Sequence, residues 1–260
     1  MILHSLAFFT IDNWLLLILF FLIAVLYSSV GFGGGSSYLA VLALTGIAFT
    51  QIRSTALLCN IVVVSGNVWL YLQQKKYNWK KVLPLVFFSI PFAFLGGYLR
   101  ISKNFFFILL GITLLIAAIT MWLSKRIVRK ENTNQGLTLQ KNASYGGIIG
   151  FISGMVGIGG GIFLAPLLHL TQWDTPKRIA ATASFFILAN SISGLIGQYT
   201  NPDFYIDWSF TTVLLIVVFI GGQIGSRLSN KLLSPYQLKK ATAILIAFVS
   251  IRILIKYLFT

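Results

Sequence analysis

Two glycine clusters stand inside apolar sequence: Val30-Gly31-Phe32-Gly33-Gly34-Gly35 and, 126 positions on, Val156-Gly157-Ile158-Gly159-Gly160-Gly161. Each helical glycine costs about 1 kcal/mol relative to alanine, and close helix packing does not require three in a row. A backbone opened for contact with a ligand does. A short helix is expected to begin just past each cluster, at Ser36 and at Ile162, with N–H groups that have no intrahelical acceptor. The positive end of a helix dipole and free N–H groups attract anions without any lysine or arginine. Gly31, Gly33, Gly34, Gly35, Gly157, Gly159, Gly160 and Gly161 are therefore candidate substrate contacts, and the ligand that suits them is a small anion.

Neutral polar side chains follow each cluster: Thr55, Asn60, Ser65 and Asn67 after the first, Thr182, Ser184, Asn190, Ser191 and Ser193 after the second. They can bond neighbouring helices or a substrate, and Asn60, Ser65, Asn190 and Ser193 are the candidates for the second role. The two clusters are chemically unequal. Ser36, Ser37 and Tyr38 follow the first where Ile162, Phe163 and Leu164 follow the second, and Ala40 corresponds to Pro166. Ser36 and Ser37 are thus expected to add hydroxyl contacts on one side only.

The five acidic residues, Asp12, Glu131, Asp174, Asp203 and Asp207, all fall at segment ends or in loops. No carboxylate lies mid-span to form a proton relay, and His169 is expected at an interface. The single cysteine, Cys59, has no disulfide partner and reads as packing. No catalytic constellation is evident. The first cluster lacks the Walker lysine and has no strand-to-helix context, so it is not a nucleotide fingerprint. No enzyme activity, cofactor or metal is expected.

The elements that must hold these residues are membrane spans. Of 260 residues, 57% are hydrophobic and 10% charged, with mean hydropathy +0.86. Apolar runs near 52–72, 82–99, 104–123, 179–199, 208–226 and 241–259 match the roughly 20 residues needed to cross a hydrocarbon core. Segments 14–49 and 143–172 are longer and carry the glycine clusters, so they are expected to be broken helices. Irregular backbone at membrane depth is tolerated only against protein or a wet cavity. Either a hairpin or two short spans fits each break. The first apolar run has no basic residue ahead of it and no small-residue cleavage site before Gly31, so a removed signal peptide is not expected.

The formal charge of +15 sits at segment ends and reads as topology rather than as a nucleic-acid surface. If each broken segment returns to the side it entered, fifteen of the 20 basic residues share one side. Arg53, Arg100, Lys103, Arg252 and Lys256 take the other. A single crossing at each break gives eleven against nine. The even arrangement is preferred. It places both termini outside and the loop from Ser124 to Asn142 in the cytoplasm of a multi-pass protein of a bacterial inner membrane.

An odd number of crossings per half then makes the halves inverted repeats. The duplication continues in Ser65-Gly66 and Ser193-Gly194, Tyr71 and Tyr199, Trp79 and Trp208, and Gly96-Gly97 and Gly221-Gly222. The expected organisation is an all-α integral membrane protein. Residues 1–124 form a first repeat, 125–142 a polar basic linker and 143–260 a second repeat, each repeat with a glycine-broken helix and three transmembrane helices. Small residues four apart, at Gly146, Gly150 and Gly154 and at Gly221 and Gly225, predict close helix contacts. All six tryptophans, Trp14, Trp69, Trp79, Trp122, Trp173 and Trp208, lie near segment ends and are expected to anchor in the headgroup zone.

Through Gly31–Gly35, Gly157–Gly161 with Pro166, the repeated Ser-Gly pairs and the two Gly-Gly pairs, the chain resembles the TauE/SafE permeases over nearly its whole length. The resemblance implies a secondary transporter of small sulfur-containing anions such as sulfite or organosulfonates, with the lipid bilayer as its surroundings. The alternatives are a transporter of another small organic anion and an anion channel built on the same helix starts, which would present an open path between them.

Overall fold

A computed structural model describes residues 14–123, 138–171, 173–228 and 235–258. Their helices are α1 Trp14–Ser29, α2 Gly35–Ala43, α3 Phe49–Gln73, α4 Trp79–Tyr98 and α5 Lys103–Leu123, then α6 Leu139–Val156, α7 Gly161–Leu170, α8 Pro176–Tyr199, α9 Trp208–Arg227 and α10 Pro235–Leu258. No strand occurs among the described residues. Helices α3, α4, α5, α8 and α9 are long and apolar enough to cross a membrane, and the sixth expected span lies on α10. The outward surface carries large apolar side chains, with Phe87 73% exposed, as lipid contact demands. Most of the polar linker, with Glu131, falls outside the described residues, as does Asp12. Its last residues are already helical: α6 starts at Leu139, capped by the Thr138 hydroxyl, which accepts from the Lys141 N–H.

Glycine fixes the packing. The backbone of α6 lies against α4, where a Cβ at Gly150 would stand 2.5 Å from the Ser89 carbonyl oxygen, with Gly146 facing Leu85 and Gly154 facing Ala93 in the same way. Gly221 and Gly225 bring α9 against Phe21 and Val25 of α1. The broken helix of each half therefore packs on the second long helix of the other half, and the halves interlock.

These contacts also give chain direction. Residues 85, 89 and 93 of α4 meet 146, 150 and 154 of α6, so the two run parallel. Helix α8 is parallel to α4 as well, since Asn190 bonds Ser89, Ser193 bonds the Ile90 carbonyl, and Gly197 abuts Phe94. With α6 and α8 pointing the same way, α7 between them must turn back, and its Leu164 and Leu168 pack with Val82 and Leu85 at the start of α4. Each glycine break is thus a hairpin. In the first half Tyr38 of α2 folds back to stack on Phe20 of α1, ring centroids 4.8 Å apart. Helices α5 and α10 run antiparallel. Phe107 at the start of α5 stacks on Tyr257 at the end of α10, and Lys240 near the start of α10 lies over Trp122 at the end of α5.

Trp173 departs from the anchoring expectation. It is 1% exposed in a cluster with Val82, Leu85, Ile179 and Phe186, because the turn from α7 to α8 is tucked against α4. Lys81 donates to the Trp173 carbonyl (3.0 Å) and pairs with Asp174 (3.5 Å), holding that turn in place. The other five tryptophans are exposed.

Candidate functional site

Both breaks end in the same way. Gly34 and Gly160 precede α2 and α7 with left-handed φ of 89° and 81° and no side-chain cap, a conformation open to glycine without strain. The helices start at Gly35 and Gly161, one residue before the expected Ser36 and Ile162. The N–H groups of Ser37 and Tyr38 turn to the Gly34 carbonyl, and those of Phe163 and Leu164 to the Gly160 carbonyl. This leaves Gly35 and Ser36, and Gly161 and Ile162, with no backbone acceptor among the described residues.

The two starts line one cavity of about 40 Å³. Gly33, Gly34, Gly35 and Ser36 come from the first half and Ile158, Gly161 and Ile162 from the second, with Asn60 between them. Asn60 is fully buried. Its Nδ2 donates to the Ile158 carbonyl at 2.9 Å, linking the two breaks, while no donor reaches its Oδ1. Close approach accounts for the glycines here. A Cβ on Gly35 would meet the Asn60 amide and lie 2.6 Å from the Ile158 oxygen, and one on Gly159 would lie 2.8 Å from both Asn60 Nδ2 and Ser191 Oγ.

The remaining candidate contacts are placed apart. Gly31, at φ 86°, abuts Tyr71, and its carbonyl accepts from Ser184 Oγ. Gly157 ends α6 against the backbone of Arg53. Ser37 is engaged with the Tyr27 hydroxyl at 2.7 Å. Ser65 is exposed and bonds the Ile61 carbonyl of its own helix. Asn190 and Ser193 join α8 to α4 through Ser89 and the Ile90 carbonyl. The structure therefore gathers Gly33, Gly34, Gly35, Ser36, Asn60 and Gly161 at the cavity, with Gly159 and Gly160 behind, and does not bring Ser37, Ser65, Asn190 or Ser193 to it.

Ser191 was passed over among the candidates. It is fully buried beside Gly159, with a hydroxyl that has no partner. Gly33 meets Asn60 and Val64 where Gly159 meets Ile187 and Ser191, so spatial equivalents on α3 and α8 stand 127 positions apart. The Ser-Gly and tyrosine pairs had suggested 128, which would set exposed Ser65 against buried Ser193.

A vestibule lies at each end of the cavity region. One, of about 380 Å³, includes Tyr71, Gln74, Pro176, Lys177 and Ala180. The other, of about 20 Å³, includes Phe49, Thr50, Arg53, Gln198 and Asn201. These five pairs are again 127 positions apart, so the vestibules are equivalents under the duplication, one large and one small.

Long apolar helices wrapped around a small central cavity, with a vestibule at each end, fit a multi-pass membrane transporter. The chain belongs to the sulfite exporter TauE/SafE family, whose model matches residues 16–253. It is 32% identical over 249 residues to the probable membrane transporter protein y4hK of Sinorhizobium fredii, covering 92% of this chain and 97% of that one. A probable membrane transporter protein of Methanocaldococcus jannaschii is 26% identical over 247 residues, with 86% and 89% covered. YunE of Bacillus subtilis, described in the same words, is 24% identical over 196 residues, with 68% and 71% covered. No solved structure matches the chain.

Proposed function

We propose that the protein is a secondary transporter of small anions, bound where the two hairpins meet. The observation that carries this reading is the convergence of two unsatisfied helix starts on one buried cavity. Each supplies N–H donors and a partial positive charge of roughly half an elementary unit, with no charged side chain to hold a product back. The unpaired Asn60 Oδ1 favours a ligand that brings a hydrogen-bond donor, as a protonated or hydrated oxyanion does. Sulfur-containing anions are the substrate class that the family description supports.

The halves act as inverted repeats in the bilayer, and the antiparallel run of α5 and α10 supports that reading. The lysine-rich end, with Lys75, Lys76, Lys80 and Lys81, is cytoplasmic by the positive-inside tendency. A wide vestibule at that end and a narrow one at the other fit a carrier facing one side, and exchanging the conformations of the two halves would reverse it. A channel would need a continuous open path, and the central cavity is too small for one.

Uptake of radiolabelled sulfite, thiosulfate, sulfate and a small sulfonate into proteoliposomes tests the reading. Saturable flux accelerated by the same anion on the far side is expected for at least one of them. No flux for any would sink the substrate class, and flux that never saturates would favour a channel.

A further inference from the structure

Arg53 lies one turn into α3, two helical turns before Asn60, yet it is only 4% exposed. One Nη reaches the Gly154 carbonyl at a long 3.4 Å, and its Nε has no acceptor. Ion pairs among the described residues centre on Asp174 and none involves Arg53. A buried guanidinium without an ion-pair partner is strongly unfavourable, and an anion in the pocket it lines would supply the missing charge. Gln198, equally buried, lines the same small pocket and has an unpartnered Nε2. Arg100 lines that pocket from the exposed end of α4, and Asp203 leaves it with net charge +1. In the other vestibule Ala180 replaces Arg53 and Tyr71 replaces Gln198, and the cation there is Lys177, the equivalent of Thr50.

We propose that Arg53, Arg100 and Gln198 form a second binding site for a small oxyanion at the mouth opposite the lysine-rich end. The two sites are about 10 Å apart along α3, at 1.5 Å per residue. Gly157 and Ile158 span the gap, the first against the Arg53 backbone and the second bonded to Asn60. An oxyanion held by the planar fork of Arg53 stands one step from the helix starts, and the equivalent position at the wide end, Ala180, carries no such group. Transport through the central cavity is not assumed, because the mouth site binds whether or not flux follows.

The test is sulfate-dependent thermal stabilisation of the purified full-length protein in detergent, in an N60D background that repels anions from the central cavity. Sulfate also stabilises proteins by exclusion from their surface, a response that does not saturate and is shared by all variants, so the saturable component is the readout. N60D is expected to keep a saturable response. Adding R53Q or R100Q should weaken it at least about tenfold, the value of one charge-assisted hydrogen bond, with R53K intermediate. R100Q changes an exposed residue and serves if R53Q fails to fold. A saturable response absent from N60D, or unchanged by R100Q, overturns the second site. Those results leave the transport reading untouched, since uptake by the wild type is measured separately.

Discussion

Asn60 is the side chain whose change separates a site for anions from a packing device. Asn60→Asp keeps the shape of the amide and introduces a negative charge at the meeting point of the two breaks. The amide abuts Gly35 closely enough to exclude a Cβ there, so an anion held by the Gly35 and Ser36 N–H groups would sit about 4 Å from the new carboxylate. Two unit charges at that distance repel by about 4 kcal/mol at an effective dielectric constant of 20, which is about a thousandfold. The substitution also removes the 2.9 Å bond to the Ile158 carbonyl, worth about 1 kcal/mol or roughly fivefold. Asn60→Ala removes that bond together with the Oδ1 acceptor and adds no charge. In proteoliposomes, uptake at low anion concentration should fall about a thousandfold in N60D and only several-fold in N60A, with both proteins monodisperse in detergent. If N60D transports within tenfold of N60A, the anion's charge does not pass this position and the two helix starts are not its binding site.

Three further outcomes follow from the same geometry. Gly35→Ala has no backbone strain to relieve, but its Cβ would meet the Asn60 amide and the Ile158 oxygen at 2.6 Å. It should abolish uptake at a cost of about 1–3 kcal/mol in stability, whereas unaltered uptake would show the contact to be idle. Lys81→Met takes the 3.5 Å ion pair from the Asp174 carboxylate, which is 7% exposed and whose other cation, Arg178, is half-exposed at 3.7 Å. Thermal unfolding in detergent should then fall by several degrees, for a loss of about 2 kcal/mol, and an unchanged midpoint would mean that the pair does not pin the turn from α7 to α8. Single cysteines at Lys76 and Asp203, in a background with buried Cys59 replaced by alanine, should react with an impermeant maleimide from opposite faces of the membrane. Labelling from one face would overturn the topology.

The sequence by itself determined what depends on local chemistry. Long apolar runs can satisfy their backbone groups in lipid only as helices, so five of the six expected spans stand as long apolar helices. Each glycine cluster broke its helix within one residue of the expected point, because only glycine takes the left-handed φ of Gly34 and Gly160 without strain. Glycines four apart at Gly146, Gly150 and Gly154 were read correctly as contact surfaces, since a missing Cβ has one packing consequence. Which polar side chain faces a cavity is a different kind of fact. Ser65 and Asn60 are similar in sequence terms, yet a few residues around a helix put one on the outer surface and the other between the two breaks. Ser37 was lost to Tyr27 in the same way, and Trp173 to a turn folded inward on α4. Only the tertiary structure decided the 127-position register of α3 and α8, because a helix face is fixed by its partners across the interface and not by its own residue order. That register sets Arg53 against Ala180 and so distinguishes one mouth of the protein from the other.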